Sequence, residues 1–195
     1  MSECWFSVRA VKSDRSRALT ILEPERLLFR EHEAGDLDAF CEIQADPDVR
    51  RHVGGSPLPR EEAKRRFQER FLVPKPDRLA LWATIYKPEG RYIGQCGVYP
   101  NFEANGPGTA VPIAGEGTLG FYLAHAYWGK GLATEAGRAF VDFGFTELGL
   151  SRIVAAVEIG NDASVRVMEK LAFTLVRIEL GAVRSFYHFE LLPNR

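Results

Sequence analysis

The chain has 195 residues, 46% of them hydrophobic and 26% charged, with a formal net charge of −1. That length suits one domain with a substantial apolar core, and so even a charge balance gives no general attraction to nucleic acid or anionic lipid, neither of which is expected as a partner. No apolar run approaches the ~20 residues of a membrane span, the first 20 residues lack a signal peptide's apolar run and cleavage site, and three scattered cysteines, Cys4, Cys41 and Cys96, suit reduced thiols in the cytoplasm.

Residues 1–25 are weakly patterned and read as an N-terminal extension to a domain spanning 26–195. Leu27-Leu28-Phe29 makes a short strand. A helix follows from about Asp36, with Leu37, Phe40, Cys41 and Gln44 at helical spacing, and Asp46-Pro47-Asp48 stops it. Pro57 and Pro59 precede a second helix with Glu61 and Glu62 in its first turn and Ala63, Phe67 and Phe71 on one face. Its Arg65, Arg66 and Arg70 alternate with Glu62 and Glu69, as on a solvated, ion-paired surface.

Leu79–Tyr86 and Arg91–Tyr99, joined by Lys87-Pro88-Glu89-Gly90, form an antiparallel hairpin. Residues 100–115 hold Gly and Pro with little periodicity and read as a long loop, either a lid or plain connecting chain. Strand Thr118–Leu123 leads into a Trp-Gly-Lys-Gly turn and a helix from about Leu132 to Leu148, whose apolar stripe is Leu132, Ala136, Phe140 and Phe143. A β-branched run at Ile153–Ile159, a helix from Asn161 to Ala172 and strand-like runs at Thr174–Leu180 and Ser185–Leu191 complete the chain. This order describes a mixed α/β (α+β) domain and not a doubly wound sheet.

The chemistry concentrates at Tyr127–Glu135. Gly129 and Gly131 allow backbone geometries closed to other residues. The helix start behind them offers unpaired N–H groups and the positive end of the dipole, and Lys130 adds a charge, which together suit a phosphate. On these grounds alone an anion site and a bare helix-initiating turn stand level. Walker A is excluded because Lys130 is followed by Gly131, and Gly115-Glu116-Gly117-Thr118-Leu119-Gly120 matches the dinucleotide spacing but runs into a strand where that motif opens a helix. His32, His52, His125 and His188 lack metal-ligand spacing, so no metal is expected.

Leu119-Gly120-Phe121-Tyr122-Leu123 followed by Tyr127–Ala136 closely resembles the coenzyme motif of GNAT-superfamily N-acetyltransferases, with the RimJ/RimL type, the ribosomal-protein N-terminal acetyltransferases, as the nearest likeness. Asn161–Phe173 resembles the second signature of that group, and Arg26–Arg30, Asp46–Val49 and Ile93–Gly97 also fit. The resemblance spans about residues 26–192. It implies a GNAT-like, mostly antiparallel sheet flanked by helices, and acetyl-CoA as cosubstrate. Trp128 to Ala133 would occupy the superfamily's coenzyme-binding signature, and the backbone amides of Gly129, Lys130, Gly131, Leu132, Ala133 and Thr134 would hold the pyrophosphate. Phe121, Tyr122 and Leu123 would pair with the pantetheine arm, the Leu123 amide meeting the thioester oxygen. Asn161 would touch the coenzyme, a role compatible with capping its helix.

The assisting side chains are less standard. Met168 stands where many superfamily members carry a tyrosine. Thr118 stands where the subgroup often has an acid. Glu116, two residues earlier and on the same strand face, becomes the candidate base, and Ser164 the candidate proton donor to the thiolate, with helix capping as its alternative. The implied reaction is direct attack by a primary amine, of a protein N-terminus or a small molecule, in a monomer or homodimer. The competing reading is a coenzyme-binding regulatory module without catalysis. Tyr122 and Trp82 could line the amine pocket, although aromatics in strands more commonly serve the core.

Overall fold

The computed structural model describes residues 19–104 and 109–193; Cys4 and most of the 1–25 segment lie outside them. The described chain folds around one eight-stranded sheet. In chain order the elements are β1 (Thr20–Leu22), β2 (Leu27–Arg30), α1 (Leu37–Ala45), α2 (Pro47–Arg51), α3 (Arg60–Arg70), β3 (Trp82–Tyr86), β4 (Arg91–Ala104), β5 (Ala110–Leu123), α4 (Leu132–Thr146), β6 (Arg152–Glu158), α5 (Asp162–Lys170), β7 (Thr174–Glu179) and β8 (Phe186–Leu191). Their order across the sheet is β1-β2-β3-β4-β5-β6-β8-β7. Every pairing is antiparallel except β5 with β6. A parallel neighbour needs a long crossover, and α4 supplies it.

Side-chain alternation splits the core into two layers. On one face Trp82, Ile93, Val98 and Leu119 pack under α4, whose expected stripe of Leu132, Ala136, Phe140 and Phe143 is wholly buried. The Phe29 and Phe140 rings meet there edge to face at 4.6 Å. On the other face Ala83, Ile85 and Tyr92 pack against Phe40, Cys41, Ala63 and Phe67 from α1 and α3. Cys41 and Cys96 are free and buried. Arg65 bridges Glu62 and Glu69 on the outer face of α3, the ion-paired surface its sequence predicts.

Three expectations change. The described part of 100–115 is mostly strand: β4 continues to Ala104 and β5 begins at Ala110, paired as Phe102↔Pro112, Glu103↔Val111 and Ala104↔Ala110 after a shift near Pro100. This arm projects past the paired length of β3 and is mostly exposed, with Val111 and Ile113 only half-buried, so no fully buried stripe marks it as strand. Asp46-Pro47-Asp48 ends α1 but also starts α2, because the Asp46 carboxylate accepts from the amides of Asp48 (2.8 Å) and Val49 (3.4 Å), with Pro47 in the first turn. Thr20–Leu22, within the segment read as an extension, adds the edge strand β1 against β2.

Candidate active site

β5 and β6 touch at three positions only, Glu116↔Arg152, Gly117↔Ile153 and Thr118↔Val154. Beyond them β5 runs on to Leu123 beside β4, while β6 runs on to Glu158 beside β8. The two strands splay, and the sheet opens into a wedge. The Ala124 amide donates to Ile93 on β4 at 2.8 Å, so strand alternation turns the peptide groups of Leu123 towards the wedge. The Leu123 carbonyl accepts from the Trp128 indole at 2.7 Å. Its N–H is left as a donor along the open edge.

The turn after β5 closes the wide end. Gly129 (φ 71°) and Gly131 (φ 76°) take the left-handed conformation, and no side chain caps the start of α4 at Gly131. The first N–H groups of α4 are therefore available to a ligand. Arg26 clamps this turn: its Nη1 donates to the Lys130 carbonyl (2.9 Å), while its Nε and backbone N–H each donate to a Glu135 carboxylate oxygen (2.7 Å). Lys130 Nζ lies 4.9 Å over the Tyr127 ring, and Tyr127 in turn donates to Glu89.

Two cavities flank the wedge. One, of about 330 Å³, is bounded by Leu123, the 128–134 turn and the α5 residues Arg166 and Lys170. The other, of about 710 Å³, lies on the α1–α3 face between Phe71, Val73 and Lys75 on one side, the β4 residues Tyr99 and Phe102, and Glu158 of β6. Both are lined by His52, Val53, Phe121, Tyr122, Asn161 and Ser164. Those six residues form the shared wall between the smaller cavity and a larger, mainly apolar cleft.

A family profile described as an acetyltransferase (GNAT) domain matches residues 26–174. The chain belongs to the GNAT acetyltransferase family. It is 31% identical over 158 residues to the uncharacterized N-acetyltransferase p20 of Bacillus licheniformis, covering 78% of this chain and 81% of that one. Among solved structures, a GNAT-family acetyltransferase from Bacillus anthracis matches with TM-score 0.72 at 23% identity, over 89% of this chain and 98% of that chain. The spermidine N-acetyltransferase of Vibrio cholerae, in complex with CoA and spermine, matches with TM-score 0.66 at 16% identity, over 86% of this chain and 95% of that chain. Those two likenesses establish the fold. With family membership comes the activity class, an acetyl-CoA-dependent N-acetyltransferase.

Seen as an acetyltransferase, the chain distributes its expected site residues unevenly. Phe121, Tyr122, Leu123, Trp128, Gly129, Gly131, Leu132, Ala133 and Thr134 line the smaller cavity together with Asn161 and Ser164; the Lys130 side chain stands outside, over Tyr127. Asn161 caps α5, its side-chain oxygen accepting from the Ser164 amide at 3.2 Å, so the cap and the cavity wall are one residue. Met168 is buried and reaches the larger cavity. Trp82 belongs to the core.

Glu116 is not brought to the wedge. It lines neither cavity; its carboxylate accepts from Asn101 (2.9 Å) and pairs with Arg152 (3.2 Å) at the closed end of the splay. Asn101 also accepts from the Thr118 hydroxyl at 3.3 Å, so the two residues do share a face, on the far side of the pairing. Asp46, Asp48 and His125 bring ligand atoms within 4.8 Å of one another, but the Asp46 oxygen caps α2 and the His125 ring packs at a tilt against Trp128.

Spacing gave no sign of several site residues. His52 at the end of α2 meets Glu158 across 106 residues, Nδ1 to Oε2 at 2.9 Å. Arg184 ties both, donating through Nε to Glu158 (2.7 Å) and through Nη2 to the His52 carbonyl (3.0 Å). The Arg184 guanidinium, and then His52, hold the Glu158 carboxyl below the usual range. Burial pushes the Tyr122 phenol well up, and its hydroxyl accepts from Gln95.

Proposed function

We propose that the chain acetylates a primary amine by direct attack on acetyl-CoA, with coenzyme in the smaller cavity and amine in the larger. One observation carries this reading: the two cavities meet at Tyr122, Asn161 and Ser164, beside the outward-facing Leu123 amide. The amides of the Gly129–Thr134 turn and the α4 start would take the pyrophosphate, with Lys130, Arg166 and Lys170 supplying positive charge nearby. The free edge of Phe121–Leu123 would pair with the pantetheine arm like an added strand. The Leu123 N–H would donate to the thioester oxygen and hold it as charge builds there. Ser164 would hand its proton to the departing thiolate.

The larger cavity argues about the acceptor. Its acids are already engaged, Glu69 by Arg65 at 3.1 Å and Glu158 by Arg184 at 2.7 Å, while Arg70 and Lys75 also line it. Such a wall offers little to a polycation and favours a protein N-terminal amine or a small amine without extra positive charge. An α-amine, with pKa about 7.7–8.0 against about 10.4 for lysine, is also the easier nucleophile to free at neutral pH. This supports the RimJ/RimL-like assignment within the family. A cytoplasmic protein with reduced Cys41 and Cys96 fits the same picture; no helix among the described residues is long and apolar enough to cross a membrane.

The regulatory-module alternative draws on Met168, which holds no transferable proton, and on the remote position of Glu116. Thiol release from acetyl-CoA, measured with a free-N-terminus peptide, its Nα-blocked lysine analogue and spermidine, decides between them. Turnover on the free peptide above both others is expected. Calorimetric binding of coenzyme without release on any of the three would establish the module instead.

A further inference from the structure

Direct attack requires that the incoming ammonium first lose a proton, and the shared wall of the two cavities is where that proton must go. Of the six residues on that wall, Val53 and Phe121 hold no exchangeable side-chain proton and Asn161 does not titrate. Ser164 is an alcohol, and the half-buried Tyr122 has its hydroxyl bonded to Gln95. His52 remains. We infer that His52, oriented by Glu158, is the base that takes the proton from the acceptor amine, an inference that rests on the amine-acetylation reading above.

The geometry is that of an oriented base. Glu158 accepts from His52 Nδ1 at 2.9 Å, so the neutral form of the ring carries its hydrogen on Nδ1 and its lone pair on Nε2. Nε2 has no hydrogen-bond partner among the described residues and is not buried. Arg184 anchors the other Glu158 oxygen and the His52 backbone carbonyl, so both members are held by one guanidinium. Glu158 itself, kept ionised by Arg184, is a poor proton acceptor but a good stabiliser of an imidazolium. An α2 tether alone would need only the Arg184 contacts.

The step balances without another reactant. The ammonium gives one proton to His52 Nε2. The freed nitrogen pair forms the bond to the thioester carbon, whose π electrons move to the oxygen facing Leu123. As the carbonyl re-forms, the C–S bond breaks with its electron pair on sulfur. The nitrogen's surplus proton passes to that sulfur by way of Ser164, and His52 releases its own proton to solvent. The charged groups lining these cavities are Glu158, Asp48, Glu69, Arg70, Lys75, Arg166 and Lys170, with Arg51 next in the chain to His52 and Arg184 behind Glu158. Among the described residues only Glu158 bonds the ring.

The test is kcat/KM against pH for the best of the three amine probes, in wild type, His52→Gln and Glu158→Gln, with coenzyme affinity and circular dichroism as controls. His52→Gln should lose about 10²–10³-fold near neutrality, and the gap should narrow at alkaline pH as more amine is free without help. Glu158→Gln should lose less and displace the acid limb of the profile. Added imidazole should restore part of the activity of His52→Ala. Wild-type rates and an unaltered profile in His52→Gln would overturn the role of His52 alone. So would a loss equal at every pH and unanswered by imidazole. If His52→Gln does not fold, the profile of Glu158→Gln decides, an unmoved acid limb counting against the proposal. Absence of turnover in the wild type would overturn the parent reading and this one with it.

Discussion

Arg26 and Glu135, 109 residues apart, set the position of the turn proposed to hold the coenzyme. Glu135 receives two donors from Arg26, side chain and backbone, and Arg26 passes the constraint to the Lys130 carbonyl. Removing the carboxylate leaves a part-buried N–H and a guanidinium without their acceptor, a loss of about 1–3 kcal/mol. Glu135→Ala is therefore expected to lower the denaturant midpoint and to weaken coenzyme binding several-fold, read by calorimetry; unchanged affinity would mean the turn holds itself. Gly131→Glu is a harsher probe. At φ 76° a side chain costs about 1–2 kcal/mol, and the carboxylate repels the pyrophosphate, so coenzyme binding should vanish while the fold survives. The turn was legible in the sequence because its glycines and helix start are consecutive. Neither the clamp nor the His52–Glu158 pair was, since each is assembled from elements a hundred residues apart. Glu116 shows the limit of strand periodicity: it names the face of a strand and not which end of the wedge a side chain serves.

At the scale of elements, the longer helices and the central strands were readable because an apolar side faced the core, whereas the short α2 and β1 were not. The α4 stripe is the clearest case, because each of its four named residues is buried. The β4–β5 arm was not, since hydrogen bonding and not burial makes it a strand. Its Pro100 and Pro112 argued for a loop. What holds β3 against β4 is tighter than the sequence suggests. A Cβ added to Gly97 would fall inside the Ala80 carbonyl oxygen and within 3.2 Å of Leu81 Cα, all backbone. A side-chain tip could swing aside; a strand entry cannot. Gly97→Ala is expected to destabilise the fold by about 2–3 kcal/mol, measured by urea unfolding, and to reduce activity by moving Leu81, which lines the larger cavity. A variant as stable as wild type would show that β3 can retreat freely.

The whole molecule carries a pH dependence that its formal net charge of −1 hides. His32 lies just past β2, packed against Phe71 (4.7 Å) and Phe67 (5.7 Å) with Nε2 buried and unpaired. Burial lowers its pKa to about 4 against an unfolded value of 6.5. Between those values the unfolded chain binds a proton that the folded chain refuses, so stability rises with pH across the window. The contribution is fully present above pH 6.5 and is lost progressively as the pH falls towards 4, for a total of about 3 kcal/mol. Glu158 acts lower: its carboxyl is depressed by Arg184, so its share is present above the ordinary carboxylate range and fades only as the pH drops through that depressed value. The two windows can therefore be separated. Urea unfolding at intervals from pH 7 to 4.5 should show a falling free energy in the wild type and a nearly flat line in His32→Gln, whatever that variant's absolute stability. Equal slopes in the two proteins would assign the acid sensitivity to another group and remove His32 from the account.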